Sequence, residues 1–91
     1  VIAKVQARQG KADQLRAQLY RLVRETNRHD GPIVYELNEE NDAPGSFMFY
    51  EKWQDQAALD AHSKKEHMDT FRQAAEDLVE KMDVTLYSPI A

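Results

Sequence analysis

Phe47-Met48-Phe49-Tyr50-Glu51-Lys52-Trp53 is the stretch on which the fold turns. Side chains alternate across a strand, so Phe47, Phe49, Glu51 and Trp53 share one face while Met48, Tyr50 and Lys52 share the other. Both faces are apolar over the first four residues, which is more than a strand with one solvated face needs. One face suits a layer of helices from the same chain, and the other calls for a second cover. Ahead of this strand, Asn41-Asp42-Ala43-Pro44-Gly45 is a dense turn signal. Ile33-Val34-Tyr35-Glu36-Leu37 before the turn reads as a partner strand, so the segment forms a hairpin.

Outward from the hairpin, Val1, Ala3, Val5 and Ala7 alternate with Ile2, Lys4, Gln6 and Arg8, the period-two pattern of a strand with one face on a core. From Lys11 to Arg28 the residues Leu15, Leu19, Leu22, Val23 and Thr26 fall on one face of an amphipathic helix, and His29-Asp30-Gly31-Pro32 ends it. On the other side, Asp55 is the expected N-cap of a short helix containing Ala57, Ala58, Leu59 and Ala61. After a break near His62-Ser63, Met68, Phe71, Ala75, Leu78 and Met82 recur at steps of three and four and predict a longer helix. Val84-Thr85-Leu86-Tyr87 is the expected fourth strand. The order β-α-β-β-α-β predicts an α+β, ferredoxin-like fold: a four-stranded antiparallel sheet with helices on one face.

In that arrangement Ile2, Val34, Met48, Tyr50 and Tyr87 form an apolar patch on the uncovered face. A second copy of the same sheet is the simplest cover, so a homodimer is expected. Size argues the same way. The 91 residues fit a single domain spanning 1–91, which buries only about 60–65% of the surface its unfolded chain exposes. No cysteine is present to add a disulfide, a thiolate metal site or a sulfur nucleophile. Twelve basic residues against sixteen acidic ones give a net charge of −4 with no basic stripe, so nucleic acid is not an expected partner. No apolar run approaches the roughly 20 residues of a membrane span, and a cytoplasmic location is the default expectation.

Candidate chemistry gathers around Glu51-Lys52-Trp53 and Leu59-Asp60-Ala61-His62. Strand parity directs Glu51 inward, where a carboxylate needs a partner. His62, at the break between helical segments, supplies one and would be held in a single tautomer. A Glu51–His62 contact bordering a pocket is therefore expected, with the alternative that Trp53 is a core anchor and both polar residues sit at element ends. His67, five residues on, points to a different helix face from His62, which disfavours a metal site built on the two histidines and Glu66. His29 lies in a polar turn and should be solvated. Tyr35 shares inward parity with Ile33 and Leu37, as core or as pocket wall. Gly-rich phosphate loops and nucleophile elbows are absent.

Taken together, these residues resemble the antibiotic biosynthesis monooxygenase family, the dimeric α/β-barrel group that includes quinol monooxygenases. The resemblance covers nearly the whole chain. It rests on the early strand with Gly10-Lys11 and its helix, Gly31 leading to Tyr35-Glu36, and the aromatic strand ending in Glu51-Lys52-Trp53. Ala57-Leu59-Ala61-His62, His67-Met68-Phe71 and the closing Tyr87-Ser88-Pro89-Ile90 continue it. Two features depart from relatives. Haem-degrading members carry an asparagine early in strand one, and none occurs among Val1 to Arg8; many relatives have Gly-Cys where this chain has Gly31-Pro32.

The resemblance implies oxidation of a small electron-rich quinol or phenol by O₂ with no cofactor and no metal. Deprotonation of such a substrate makes a species able to pass an electron to O₂. His62 would be the base and Glu51 its orienter, and Trp53, Tyr35, Phe49, Phe71 and His67 would contact the substrate. Two other readings use the same fold: a non-catalytic or stress-response module binding a small hydrophobic ligand, and an isomerase of a small carbonyl compound. The isomerase ranks lower because no basic residue has inward parity on strands two or three.

Overall fold

The alternation starting at Ile2 forms strand β1 (Ile2–Ala7), and the amphipathic stretch after Gly10 forms helix α1 (Ala12–His29). The hairpin strands are β2 (Val34–Glu39) and β3 (Ser46–Lys52), and the broken helical region gives α2 (Gln56–Ser63) and α3 (Glu66–Ala75). Strand β4 (Val79–Thr85) closes the order. The structure is a computed structural model and describes residues 1–91. The sheet order is β2-β3-β1-β4, antiparallel throughout.

The inward face of the sheet carries Ala3 and Val5 of β1, Phe47 and Phe49 of β3, and Tyr35 of β2, all buried. Leu15, Leu19, Leu22 and Thr26 of α1 and Phe71 and Ala75 of α3 cover them. Glu39, last on the inward side of β2, clamps α1 to the hairpin. Its carboxylate takes Arg16 Nε at 3.1 Å and Nη2 at 2.7 Å, and also the Gly45 amide at 3.0 Å. That fork raises the Arg16 proton affinity and lowers the Glu39 pKa below its ordinary 4.5. Gly45 has φ +92°, a left-handed conformation that a Cβ disfavours.

Three local expectations are corrected. The three-and-four spacing through Met82 does not extend the helix that far: α3 stops at Ala75, where the Leu78 amide turns back to the Ala75 carbonyl. Met82 therefore belongs to β4, which starts at Val79 rather than Val84 and ends before Leu86 and Tyr87. A register shift between Gln6 and Ala7 hides this strand in the sequence, because Ala7 pairs with Val79 while Val5 pairs with Met82. The extra residue breaks the alternation that reveals a strand. Ile33, assigned inward, precedes β2 and is 59% exposed.

On the outer face Ile2, Val34 and Met48 are half-buried and Tyr50 is exposed; Tyr87, expected in the same patch, lies beyond the end of β4 and is exposed. Lys4, Gln6, Asn38 and Lys81 lie around them, so the patch is more mixed than apolar. No helix is long and apolar enough to cross a membrane.

Candidate active site

Asp55, in extended conformation, caps α2 by accepting the Ala58 amide at 2.9 Å. This start fixes the phase of a short helix whose one buried residue is His62. Ser63 ends α2, and the Lys64-Lys65 turn reorients the chain before α3 begins. The turn defeats the helical-spacing argument for the two histidines. His62 and His67 reach the same atom: Asp30 Oδ2 lies 2.6 Å from His62 Nδ1 and 2.8 Å from His67 Nε2. The Asp30 side chain is 1% exposed, against 4% for His62 and 16% for His67.

Two nitrogens that close to one carboxylate oxygen each carry the shared hydrogen as donor. His62 is thereby set as the Nδ1–H tautomer when neutral, which leaves Nε2 with its lone pair. No group of the chain bonds that Nε2, and it is not among the side-chain atoms sealed away without a partner, which are Thr26 Oγ1 and Asp30 Oδ1. It is thus a free proton acceptor on a residue that lines the adjoining cavity.

That cavity has a volume of about 620 Å³ and lies between the inward face of the sheet and α2 and α3. Tyr35, Phe49, Phe71, Leu59 and Met68 give it apolar walls, while Glu51 and His62 contribute polar groups. A mainly apolar space with few polar groups is the usual form of a small-molecule site. Met82, Val84 and Leu86 also line it and remain about half exposed, so the space is open along β4.

Glu51 is buried as its strand parity requires and lies close enough to His62 for their charges to interact, although no direct hydrogen bond joins the two. Its Oε1 instead accepts from Trp53 Nε1 at 2.9 Å. Burial raises the Glu51 pKa above its ordinary 4.5, opposed by the Trp53 hydrogen bond and the nearby His62. Glu51 therefore orients Trp53, and Asp30 takes the place expected for Glu51 beside the histidine. The Trp53 ring lies 4.7 Å from the His62 ring between centroids. Tyr35 stands edge-on to His62 at 5.4 Å and packs on Phe49 at 5.1 Å. Burial, with the Glu51 charge, raises the Tyr35 pKa well above its ordinary 10.0, so the phenol keeps its proton as a hydrogen-bond donor.

Asp30 is the residue that sequence reading missed, having been absorbed into the turn after α1. It occupies the C-cap of that helix, where its amide bonds the Thr26 carbonyl. A carboxylate there faces the negative end of the helix dipole. An acidic residue in so unfavourable a place needs a compensating donor elsewhere, and this was the available signal. The basic residue missing from the strands also exists. Arg72 of α3 lines the cavity, though its guanidinium is engaged by Asp69 and the Ser63 carbonyl. His29, expected in solvent, is half exposed and lies 3.3 Å from Glu25.

Asp30, His62 and His67 place three donor atoms within 4.8 Å of one another, a spacing that invites a cation. Here both rings direct a nitrogen at the same carboxylate oxygen, at hydrogen-bond distance. The arrangement as it stands is a hydrogen-bonded triad.

Residues 1–82 match the sequence profile of the antibiotic biosynthesis monooxygenase family. The chain belongs to that family. No match was found among curated proteins. Among solved structures, PA3566 from Pseudomonas aeruginosa is 29% identical with a TM-score of 0.93, over 99% of this chain and 91% of that one. SO0527 from Shewanella oneidensis is 37% identical with a TM-score of 0.83, over 90% and 81%. A structure described as an antibiotic biosynthesis monooxygenase is 27% identical with a TM-score of 0.89, over 99% and 96%. The ferredoxin-like fold and the monooxygenase family relationship expected from the sequence are thereby established. Family membership alone does not select a substrate.

Proposed function

We propose that this chain is a cofactor-independent monooxygenase that oxidises a small, electron-rich quinol or phenol with O₂, working as a homodimer through the outer face of its sheet. The observation that carries the reading is His62: a buried imidazole, fixed by Asp30, whose free Nε2 meets an aromatic-walled cavity of about 620 Å³. A flat ring bound there lies against Tyr35, Phe49 and Phe71, with Trp53 behind the imidazole.

In the proposed reaction His62 Nε2 takes the proton of a substrate hydroxyl, and the anion passes an electron to O₂. Recombination forms a carbon–oxygen bond. Cleavage of the O–O bond then leaves one oxygen on the substrate and releases the other as water, so a quinol and O₂ yield a hydroxyquinone and water. The apolar walls limit the water in contact with the bound ring on the sheet and helix sides. Glu51 contributes by holding the Trp53 indole, and the Tyr35 phenol is available to hydrogen-bond a substrate oxygen. The partner sheet would cover Met48 and Tyr50, for which the chain itself offers no layer.

Oxygen uptake with a panel of quinols and naphthols tests the reading. His62→Ala should lower turnover of a responsive substrate at least about tenfold, and an unchanged rate removes the base assignment. Saturable binding with no oxygen uptake by any member of the panel would support a ligand-binding module instead.

A further inference from the structure

Asp30 joins two spaces that are otherwise separate. His62 lines the apolar cavity, while His67 lines a mainly polar cleft of about 340 Å³ between α1 and α3. Phe71 and Leu22 stand between the two, since both line each of them. Oδ2 of Asp30 is the one atom bonded from both sides. Because it accepts an N–H from each ring, the tautomers of both are set. When a ring is neutral its lone pair lies at Nε2 in His62 and at Nδ1 in His67, the atoms not engaged by Asp30, and these are the atoms at which each ring gains or loses its second proton.

We propose that His62, Asp30 and His67 act as one proton-exchange unit, in which a proton taken up by His62 in the cavity is balanced by a proton released from His67 into the outer cleft. The inference rests on the function proposed above for its role in turnover, but the coupling itself follows from geometry. One buried carboxylate, with its second oxygen Oδ1 sealed and unpartnered, neutralises one imidazolium. With either ring protonated the triad is neutral, and with both protonated it carries an unbalanced positive charge in a site shielded from water. In the exchange the starting triad holds its single positive charge on His67, protonated at both nitrogens, and uptake of a proton at His62 Nε2 expels the one at His67 Nδ1. When His62 later returns its proton to the reduced oxygen, His67 regains one from solvent, and no net proton is lost. The apolar cavity then needs no water path for charge balance.

Other charged groups bear on the two rings. Around His67 these are Glu25, Arg21 and His29 of α1, whose His29 ring lies 6.3 Å away, and Glu66 on its own helix. Toward His62 they are Glu51 and Tyr35 of the sheet. None of them is hydrogen-bonded to either imidazole, so removing His67 tests the direct coupling through Asp30.

Long-range ¹H–¹⁵N spectra of the imidazoles, recorded through the neutral pH range for the wild type and for His67→Gln, provide the test. Neutral His62 should appear as Nδ1–H and neutral His67 as Nε2–H. In the wild type the rings should titrate interdependently, with a two-step curve at His62 that becomes a single step in His67→Gln. Superimposable His62 curves, or the opposite tautomer at either ring, would overturn the proposal. These spectra need no substrate, so they stand even if quinol oxidation is not found. If it is found, His67→Gln should reduce kcat roughly three- to tenfold with KM unchanged, and added imidazole should restore it, as expected when a proton-transfer group is removed. Unchanged kcat with coupled titration would overturn the part played in turnover alone.

Discussion

Replacing Asp30 probes the interaction on which the candidate site depends. In Asp30→Ala the His62 Nδ1–H and the His67 Nε2–H both lose their acceptor, at 2.6 and 2.8 Å, in a place where the carboxylate is 1% exposed. A buried donor left unpaired costs about 1–3 kcal/mol, so the two together cost about 3–5 kcal/mol, the range found when one member of a buried pair is removed. Asp30→Asn can keep its carbonyl oxygen in the Oδ2 position as acceptor for both rings, but it loses the charge and leaves an NH₂ unpaired in the sealed Oδ1 position, and should cost about 2 kcal/mol. Urea unfolding at fixed protein concentration measures both changes. At a slope of about 1–2 kcal/mol/M, the Asn variant should unfold about 1–2 M earlier than the wild type. If the proposed oxidation is found, the Asn variant should also turn over about 100-fold more slowly, because no negative charge then stabilises the His62 imidazolium formed on proton uptake. An Asp30→Ala protein within about 0.5 kcal/mol of the wild type would refute the reasoning, since the triad would then have to be open to water.

Other perturbations probe separate parts of the structure. Burial holds the Glu51 pKa above its unfolded value of 4.5, so the native state binds the proton more tightly and Glu51 makes the protein less stable as pH rises from 4.5 through the folded pKa. Glu51→Gln, which keeps an acceptor for Trp53, should therefore be the more stable protein at neutral pH by thermal unfolding, with the advantage vanishing as pH falls below 4.5; a pH-independent difference would contradict this. Gly45→Ala places a Cβ 3.3 Å from the Ala12 side chain at a φ of +92°, and should lower stability by about 1–2 kcal/mol in the same urea assay. Met48→Asp with Tyr50→Glu, both on the outer face of β3, should convert the proposed dimer to monomer in sedimentation velocity; a protein that sediments as a dimer in spite of them would place the interface elsewhere.

The sequence by itself determined the sheet and its sidedness. Alternation in Val1–Arg8 and in Phe47–Trp53 placed Ala3, Val5, Phe47, Phe49 and Glu51 inward, and the spacing of Leu15, Leu19, Leu22 and Thr26 placed α1 over them. These patterns are local, because a strand or helix that covers a core repeats its apolar residues at the period of its own backbone. Where a local irregularity intervenes, the pattern misleads. The register shift beside Ala7 disguised β4, and the apolar spacing simply continued across the end of α3 as far as Met82. The candidate site was only half legible. His62, Glu51, Trp53 and Tyr35 stood out as polar or aromatic groups turned toward an interior, yet their pairing did not follow from position. Only the tertiary structure decided that Asp30, 32 residues before His62 and 37 before His67, would receive both rings. That choice depends on where the C-terminus of α1 meets the turn between α2 and α3, and no periodicity within either segment carries it.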